Sequence, residues 1–320
     1  MDVCLMIEGQ EGVTWPQWVD LARACEAHGF AGLFRSDHYL AFDDPTRRGS
    51  LDAWTTLAAL APLTERIRLG SMVSPATFRH PSLLAKSVVT VDHASGGRAE
   101  LGMGAGWFQR EHAAFGFPFA SDRERVDVLA EQVEIVHRLW DRSEGEVTFA
   151  GHHYRLDACT ALPRPVQEPH PPLILGGGAG ARVAALAARW ADEYDVVSET
   201  PEAARAARDR LSRACEAIDR DPDSLRLSMM TGFAIGADPH DLHRRTRRLM
   251  DVLGETGDPA VFLDGWRADR LVGTVDEVLE RLAVYAGAGV RRVMLQHLAH
   301  EDLETVAMLG ERVVPAAAAL

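Results

Sequence analysis

Ser95-Gly96-Gly97-Arg98-Ala99-Glu100-Leu101-Gly102-Met103-Gly104-Ala105-Gly106-Trp107 is the stretch on which the fold turns. It reads as a tight turn, a short strand and then a glycine-lined mouth. Gly96-Gly97 supplies the positive φ angles that a tight turn needs. Leu101 and Met103 share one face of the strand, and Gly102 and Gly104 leave the other face open. Ala105-Gly106 adds almost no bulk before Trp107 and Phe108, so backbone can approach a flat ligand closely there. Glycine clusters also occur in packed turns, so the meaning of this one depends on its surroundings.

Outward from this stretch, strand-like and helix-like segments alternate to both ends of the chain. Apolar runs at residues 3–8, 32–36, 67–73, 98–104, 172–176, 194–198, 225–235 and 292–298 alternate with segments of helical periodicity. Residues 147–149 and 153–156 flank Gly151 as a small hairpin. Eight strand–helix units imply an α/β protein with a parallel sheet. At this length they favour a closed (β/α)8 TIM barrel with loop insertions, a single domain over residues 1–320. A doubly wound sheet would place its best G-x-G-x-x-G after the first strand, and Glu8-Gly9-Gln10-Glu11-Gly12 does not fit that pattern. Residues 254–272 read as neither strand nor regular helix, and a loop insertion is expected there.

Composition removes several classes of function. The 320 residues carry a net charge of -13, which argues against nucleic acid as a partner. No run of about 18 apolar residues suggests a membrane span, and the start of the chain lacks the basic region of a signal peptide. Cys4, Cys25, Cys159 and Cys215 are scattered with no C-x-x-C pair, as expected of thiols in a reducing cytoplasm. Lys86 is the only lysine. There is accordingly no G-x-x-x-x-G-K-[ST] phosphate loop. His152-His153 and the His240/His243 pair lack a converging third ligand, so no metal is expected.

Barrel active sites lie at the C-terminal ends of the strands. The residues there are Glu8, Ser36-Asp37-His38, Met72-Val73-Ser74, Gly104-Ala105-Gly106-Trp107, Gly176-Gly177-Gly178, Ser198-Glu199 and Gln296-His297. The set is rich in glycine and short polar residues, with one imidazole beside a carboxylate. Histidine is the usual acid/base at neutral pH. A triple glycine is costly in chain entropy, which favours a backbone-approach role. A metal-dependent barrel hydrolase would show H-x-H at the first strand, and Met6-Ile7-Glu8 lacks it.

In order and spacing, these motifs resemble the bacterial luciferase-like flavin and deazaflavin oxidoreductases, and within them the branch that uses coenzyme F420. The resemblance covers nearly the whole chain. It rests on Ser36-Asp37-His38, Gly70-Ser71-Met72-Val73-Ser74-Pro75, Phe78-Arg79-His80-Pro81, the stretch from Ser95 to Phe108, Pro163-Arg164-Pro165-Val166-Gln167, residues 171–178 and Ala191-Asp192-Glu193. It implies a hydride-transferring oxidoreductase and, as in relatives, a homodimer. Asp37 and His38 would lie by the deazaflavin ring as catalytic residues. Met72-Val73, with Ser74, would form a strand bulge, often with a non-prolyl cis peptide, that props the ring. Gly104, Gly106 and Ser198 would complete the cofactor site, and Gly176-Gly177-Gly178 would bring N–H groups to the cofactor phosphate.

The chain also departs from the pattern. The sugar-phosphate dehydrogenases of the family place a glutamate after the glycine matching Gly106, where this chain has Trp107. They bind substrate phosphate through lysines, of which this chain has only Lys86, and their tryptophan lid is Phe42 here. A pocket of Glu8, Phe42, Trp107, Phe108 and His297 would favour a small apolar or aromatic substrate. The competing readings are an FMN-dependent luciferase-like monooxygenase and a non-catalytic cofactor-binding protein.

Overall fold

A computed structural model describes residues 1–42 and 46–320. Eight parallel strands form the barrel: β1 (Asp2–Ile7), β2 (Gly32–Arg35), β3 (Arg68–Ser71), β4 (Ala99–Gly104), β5 (Leu173–Gly176), β6 (Glu193–Val197), β7 (Arg226–Gly236) and β8 (Val290–Gln296). Each pairs with the next, and β8 pairs back onto β1 through Asp2↔Arg292 to Met6↔Gln296, which closes the barrel. All eight strands fall where the apolar runs predict them. The turn at Gly96 and Gly97 has φ of 68° and 93°, and the expected hairpin pairs Val147–Ala150 with Arg155–Cys159.

Side-chain alternation along the strands sorts the residues into two layers. Leu5, Ile7, Leu33, Leu69, Leu101, Met103, Leu175, Val196 and Leu295 face outward and pack against the helices in the main core. Cys4, Met6, Phe34, Met72, Ile174 and Met294 form a separate cluster inside the barrel. Below it, at the N-terminal end, sit Glu100, Glu193 and Arg292, all at most 5% exposed. The barrel is thus plugged from beneath, and a cavity opens at the C-terminal rim.

Helices connect the strands: α1 (Trp15–Ala27), α2 (Ala53–Leu60), α3 (Pro81–Ser95), α4 (Gln109–Phe115), α5 (Asp122–Trp140), α6 (Ala181–Trp190), α7 (Pro201–Glu216), α8 (Pro239–Leu253), α9 (Pro259–Trp266) and α10 (Val275–Gly287). Polar side chains cap most of them: Asp52, Ser121, Thr200, Asp238, Asp258 and Thr274 each accept a backbone N–H of the first turn. The expected loop insertion at 254–272 is corrected. It contains α9, entered through Asp258 and Pro259, and the first residues of an edge strand, Leu271–Thr274, parallel to Phe233–Gly236 of β7. Leu263, Phe262 and Trp266 bury α9 against Leu242 and Leu249 of α8. Packing of its apolar side, rather than a strong local signal, makes this segment regular.

Candidate active site

The rim of the barrel encloses a cavity of about 550 Å³. Alternation on the strands decides what faces it. On β1 the inward series Cys4, Met6 continues to Glu8, and on β2 Phe34 continues to Ser36 and His38. Glycines 104 and 176 end β4 and β5, Asp195 and Val197 lie on β6, Met230 on β7 and Gln296 on β8. The lining is mostly apolar, with Glu8, Ser36, His38, Asp195 and Gln296 as its polar side chains.

His38 is held from behind. Its Nδ1 lies 2.8 Å from Oε2 of Glu111, whose side chain is fully buried. Oε1 of Glu111 accepts the backbone N–H groups of Tyr39 at 2.5 Å and Leu40 at 3.0 Å. Burial works to lower the pKa of His38, but the hydrogen bond and charge of Glu111 outweigh it and raise the pKa above the ordinary imidazole value. Burial likewise opposes ionisation of Glu111, yet His38 and the two backbone N–H groups hold its carboxyl below the usual range. With Nδ1 engaged, Nε2 is the nitrogen left for chemistry in the cavity. Phe42, Trp107 and Phe108 surround the ring, with centroids 5.4, 5.8 and 6.0 Å away.

Deeper in the cavity, burial pushes the Asp195 carboxyl up to about 7, against the hydrogen bonds it accepts from Ser228 Oγ at 2.7 Å and the Met230 N–H at 3.2 Å. On the far wall β3 breaks after Ser71, and pairing with β4 resumes at Ser74–Pro75. The intervening Met72–Val73 peptide is cis. Val73 then fills the space that the glycines leave: a Cβ on Gly104 would stand 2.7 Å from its Cγ2, and one on Gly176 3.0 Å from its Cγ1. The face of β4 expected to be open therefore receives a valine, which in turn lines the cavity. Gly177 and Gly178 differ, because nothing lies within 4 Å of where their Cβ atoms would be. The helix that follows, α6, is entered through Gly180 without a side-chain cap. Its first N–H groups are left for an anion.

The sequence pattern that defines the luciferase-like monooxygenases matches residues 3–292. The chain belongs to this family. Among its luciferase-like relatives, an F420-dependent glucose-6-phosphate dehydrogenase of Nakamurella multipartita is 29% identical, over 94% of this chain and 92% of that one. An F420-dependent hydroxymycolic acid dehydrogenase of Mycobacterium tuberculosis is 30% identical, over 80% of this chain and 64% of that one. Of solved structures, an F420-dependent secondary alcohol dehydrogenase bound to an F420-acetone adduct superposes with a TM-score of 0.82 at 19% identity, covering 99% and 98% of the two chains. Monooxygenase RslO1 from Streptomyces bottropensis superposes at 0.80 with 25% identity, covering 98% and 99%.

Within this luciferase-like rim the structure brings together Glu8, His38, Phe42, Met72, Val73, Gly104, Gly106, Trp107, Gly176, Gly177 and Gly178. Five expected site residues are not among the lining. Asp37, next to His38, points to the opposite side, where its carboxylate accepts from Ser74 Oγ at 2.6 Å and Arg79 Nη1 at 2.5 Å. Ser74 is thereby committed to Asp37 and fully buried. Phe108 stacks on Trp107, 5.2 Å between centroids, and backs the wall from outside. Ser198 turns at φ 45° and ties its N–H to Met230 O. His297 is buried, with burial lowering its pKa to about 4, and its Nε2–H donates to Asp302 O at 3.1 Å.

Glu111, which holds His38, and Asp195, which lines the cavity, are the residues of this site that sequence reading missed. Glu111 lies 73 residues from His38. The available signal was its place in the first turn of α4, the helix that starts at the glycine mouth. Asp195 was within reach of the alternation rule, two residues before Val197 on the same strand face.

Proposed function

We propose that this chain is an F420-dependent oxidoreductase that moves a hydride between the deazaflavin and a small, apolar or aromatic organic substrate. One observation carries the reading: a single cavity joins an imidazole fixed through Nδ1, the Met72–Val73 break in β3 and the open Gly177–Gly178 loop. The F420-dependent relatives support the choice of cofactor. The residues fit the group. Met72, Val73, Gly104 and Gly106 would hold the ring, and Gly176-Gly177-Gly178 with the uncapped start of α6 would hold the phosphate. Bound F420 supplies a two-electron hydride carrier that does not activate oxygen.

His38 supplies or removes the proton at Nε2 as charge changes on the substrate. Glu111 is a positioning residue, which fixes the tautomer and keeps the imidazole protonated to a higher pH. Phe42 and Trp107 shape the outer wall for an apolar body. No lysine lines the cavity among the described residues, which speaks against sugar phosphates.

The test is a fluorescence-monitored titration of the protein with F420 and with FMN. Tighter F420 binding is expected, and equal or better FMN affinity overturns the proposal. The likeness to monooxygenase RslO1 favours a second reading, FMN-dependent oxygenation. FMN binding together with oxygen consumption would establish that reading instead.

A further inference from the structure

Glu8 has a buried carboxylate at the rim, and no arginine or lysine among the described residues pairs with it. It is 7% exposed and lines two cavities at once, the main one and an adjoining chamber of about 480 Å³. Phe42 and Gln296 share that position between the two. Gln296 Nε2 donates to Oε1 at 2.5 Å, and Gln10 Nε2 donates to Oε2 at 2.8 Å. Gln10 is itself oriented, because Ser36 Oγ donates to its Oε1 at 2.6 Å while accepting the Gly9 N–H at 2.9 Å. Both carboxylate oxygens are therefore presented as acceptors by neutral amides. A carboxylate has about four lone-pair directions, so accepting capacity is left for a ligand.

The neighbouring acids are handled differently. Glu11 pairs with Arg48 at 2.8 Å, Asp37 with Arg79 at 2.5 Å, and Glu111 with His38. Among the described residues no ion pair reaches Glu8. A buried charge without a counter-charge is costly, and here the open side of that charge is ligand space. The groups facing the adjoining chamber reinforce the sign. Glu11, Asp251 and Glu301 stand beside Glu8 against Arg48 and Arg248. Arg48 is taken by Glu11, Arg248 leans toward Asp302 at 3.8 Å, and burial lowers the pKa of His300. No arginine or lysine lines the main cavity among the described residues; the cationic side chain there is His38, whose Nδ1 is already paired with Glu111 at 2.8 Å and whose pKa Glu8 raises only secondarily.

We propose that the substrate carries a positively charged nitrogen on an apolar body, as an amine or its iminium form, and that Glu8 is the carboxylate that receives it. The proposal rests on reading the cavity as the redox site. Phe42 and Trp107 add aromatic faces suited to the same cation.

The experiment compares benzylamine, benzyl alcohol and benzoate, which differ mainly in charge, by calorimetric titration into the F420-loaded protein near neutral pH. Benzylammonium should bind about 10-fold or more tightly than benzyl alcohol, and benzoate more weakly than both. In Glu8→Gln the advantage of the ammonium over the alcohol should vanish. In Glu8→Asp, a second variant that keeps the charge, part of it should remain. Equal affinities in the wild-type protein, no binding of the ammonium, or an ammonium preference that survives in a folded Glu8→Gln would each overturn the proposal. The wild-type comparison decides the matter even if both variants misfold. A separate F420 titration keeps the two ideas apart. If F420 does not bind, the redox reading fails, and the cation preference is then read on the protein without cofactor.

Discussion

The two ends of the barrel interior both bury charge, and they do opposite things with it. At the N-terminal end Arg292 lies 2.6 Å from Glu100 and 3.4 Å from Glu193, and Arg68 pairs with Glu100 from the other side. Burial opposes the ionisation of Glu100, but the charges of Arg292 and Arg68 outweigh it and keep its carboxyl low. The group is a closed plug in which Glu100 is paired from two sides, while burial raises the Glu193 carboxyl in spite of Arg292. At the C-terminal rim His38 pairs with Glu111 on one side only, and Glu8 and Asp195 face the cavity with no ion pair among the described residues, the Asp195 carboxyl pushed up to about 7 by burial. The same strands carry both layers: Glu193 and Asp195 are two residues apart on β6, and Arg292 and Gln296 four apart on β8. Charge satisfied within the chain makes structure, whereas charge left facing a cavity makes a site.

That contrast breaks if a rim residue proves structural or a plug residue proves catalytic. The largest effect is expected for His38→Ala. Its hydride-transfer rate in single-turnover measurements should fall by about 10²- to 10⁴-fold, while F420 affinity changes little. A variant with wild-type transfer rate would reduce His38 to part of the wall. Next comes Arg292→Ala, which leaves Glu100 and Glu193 buried with one cation fewer. Urea unfolding should show a loss of about 3–5 kcal/mol, with hydride transfer by the folded fraction retained. Stability within about 0.5 kcal/mol of wild type would mean that protonation or hydration of the carboxyls, not Arg292, relieves the plug.

The smallest effect sharpens the comparison through pH. His38 has its pKa raised by Glu111, so transfer that needs the imidazolium is full below the ordinary imidazole range and is lost as pH rises through the raised value. Glu111→Gln removes the charge and should move that alkaline limb to lower pH, leaving the plateau rate within about threefold of wild type. An unmoved limb would show that a different group controls it.

Much of this was legible in the sequence, for a physical reason. Barrel strands are buried on both faces and read as short apolar runs between helices, so all eight were found and their ends pointed to the rim. The edge strand Leu271–Thr274 and the eight-residue α9 were not found, because one is short and contains Gly273 and the other is regular only through its packing on α8. In the site, Glu8, His38, Met72-Val73 and the glycine loop were readable from position alone. Asp37 and Ser74 were misplaced because adjacent residues at a strand end face opposite ways. The partnership of His38 with Glu111 crosses 73 residues and left no local mark. The glycines of β4 were recognised as a gap, but that the gap is filled by Val73 depends on the bulge in β3, a neighbouring strand.

That valine has an evolutionary consequence. Its two methyl groups occupy the places of side chains missing from Gly104 and Gly176, on two different strands. Neither glycine has a left-handed φ, so within the chain Val73 is the nearest obstacle to alanine at both. Positions 73, 104 and 176 therefore drift as one unit. A lineage that shortens residue 73 frees the other two to grow, and one that keeps valine pins both as glycine, so the three should co-vary among relatives even though they lie on three strands.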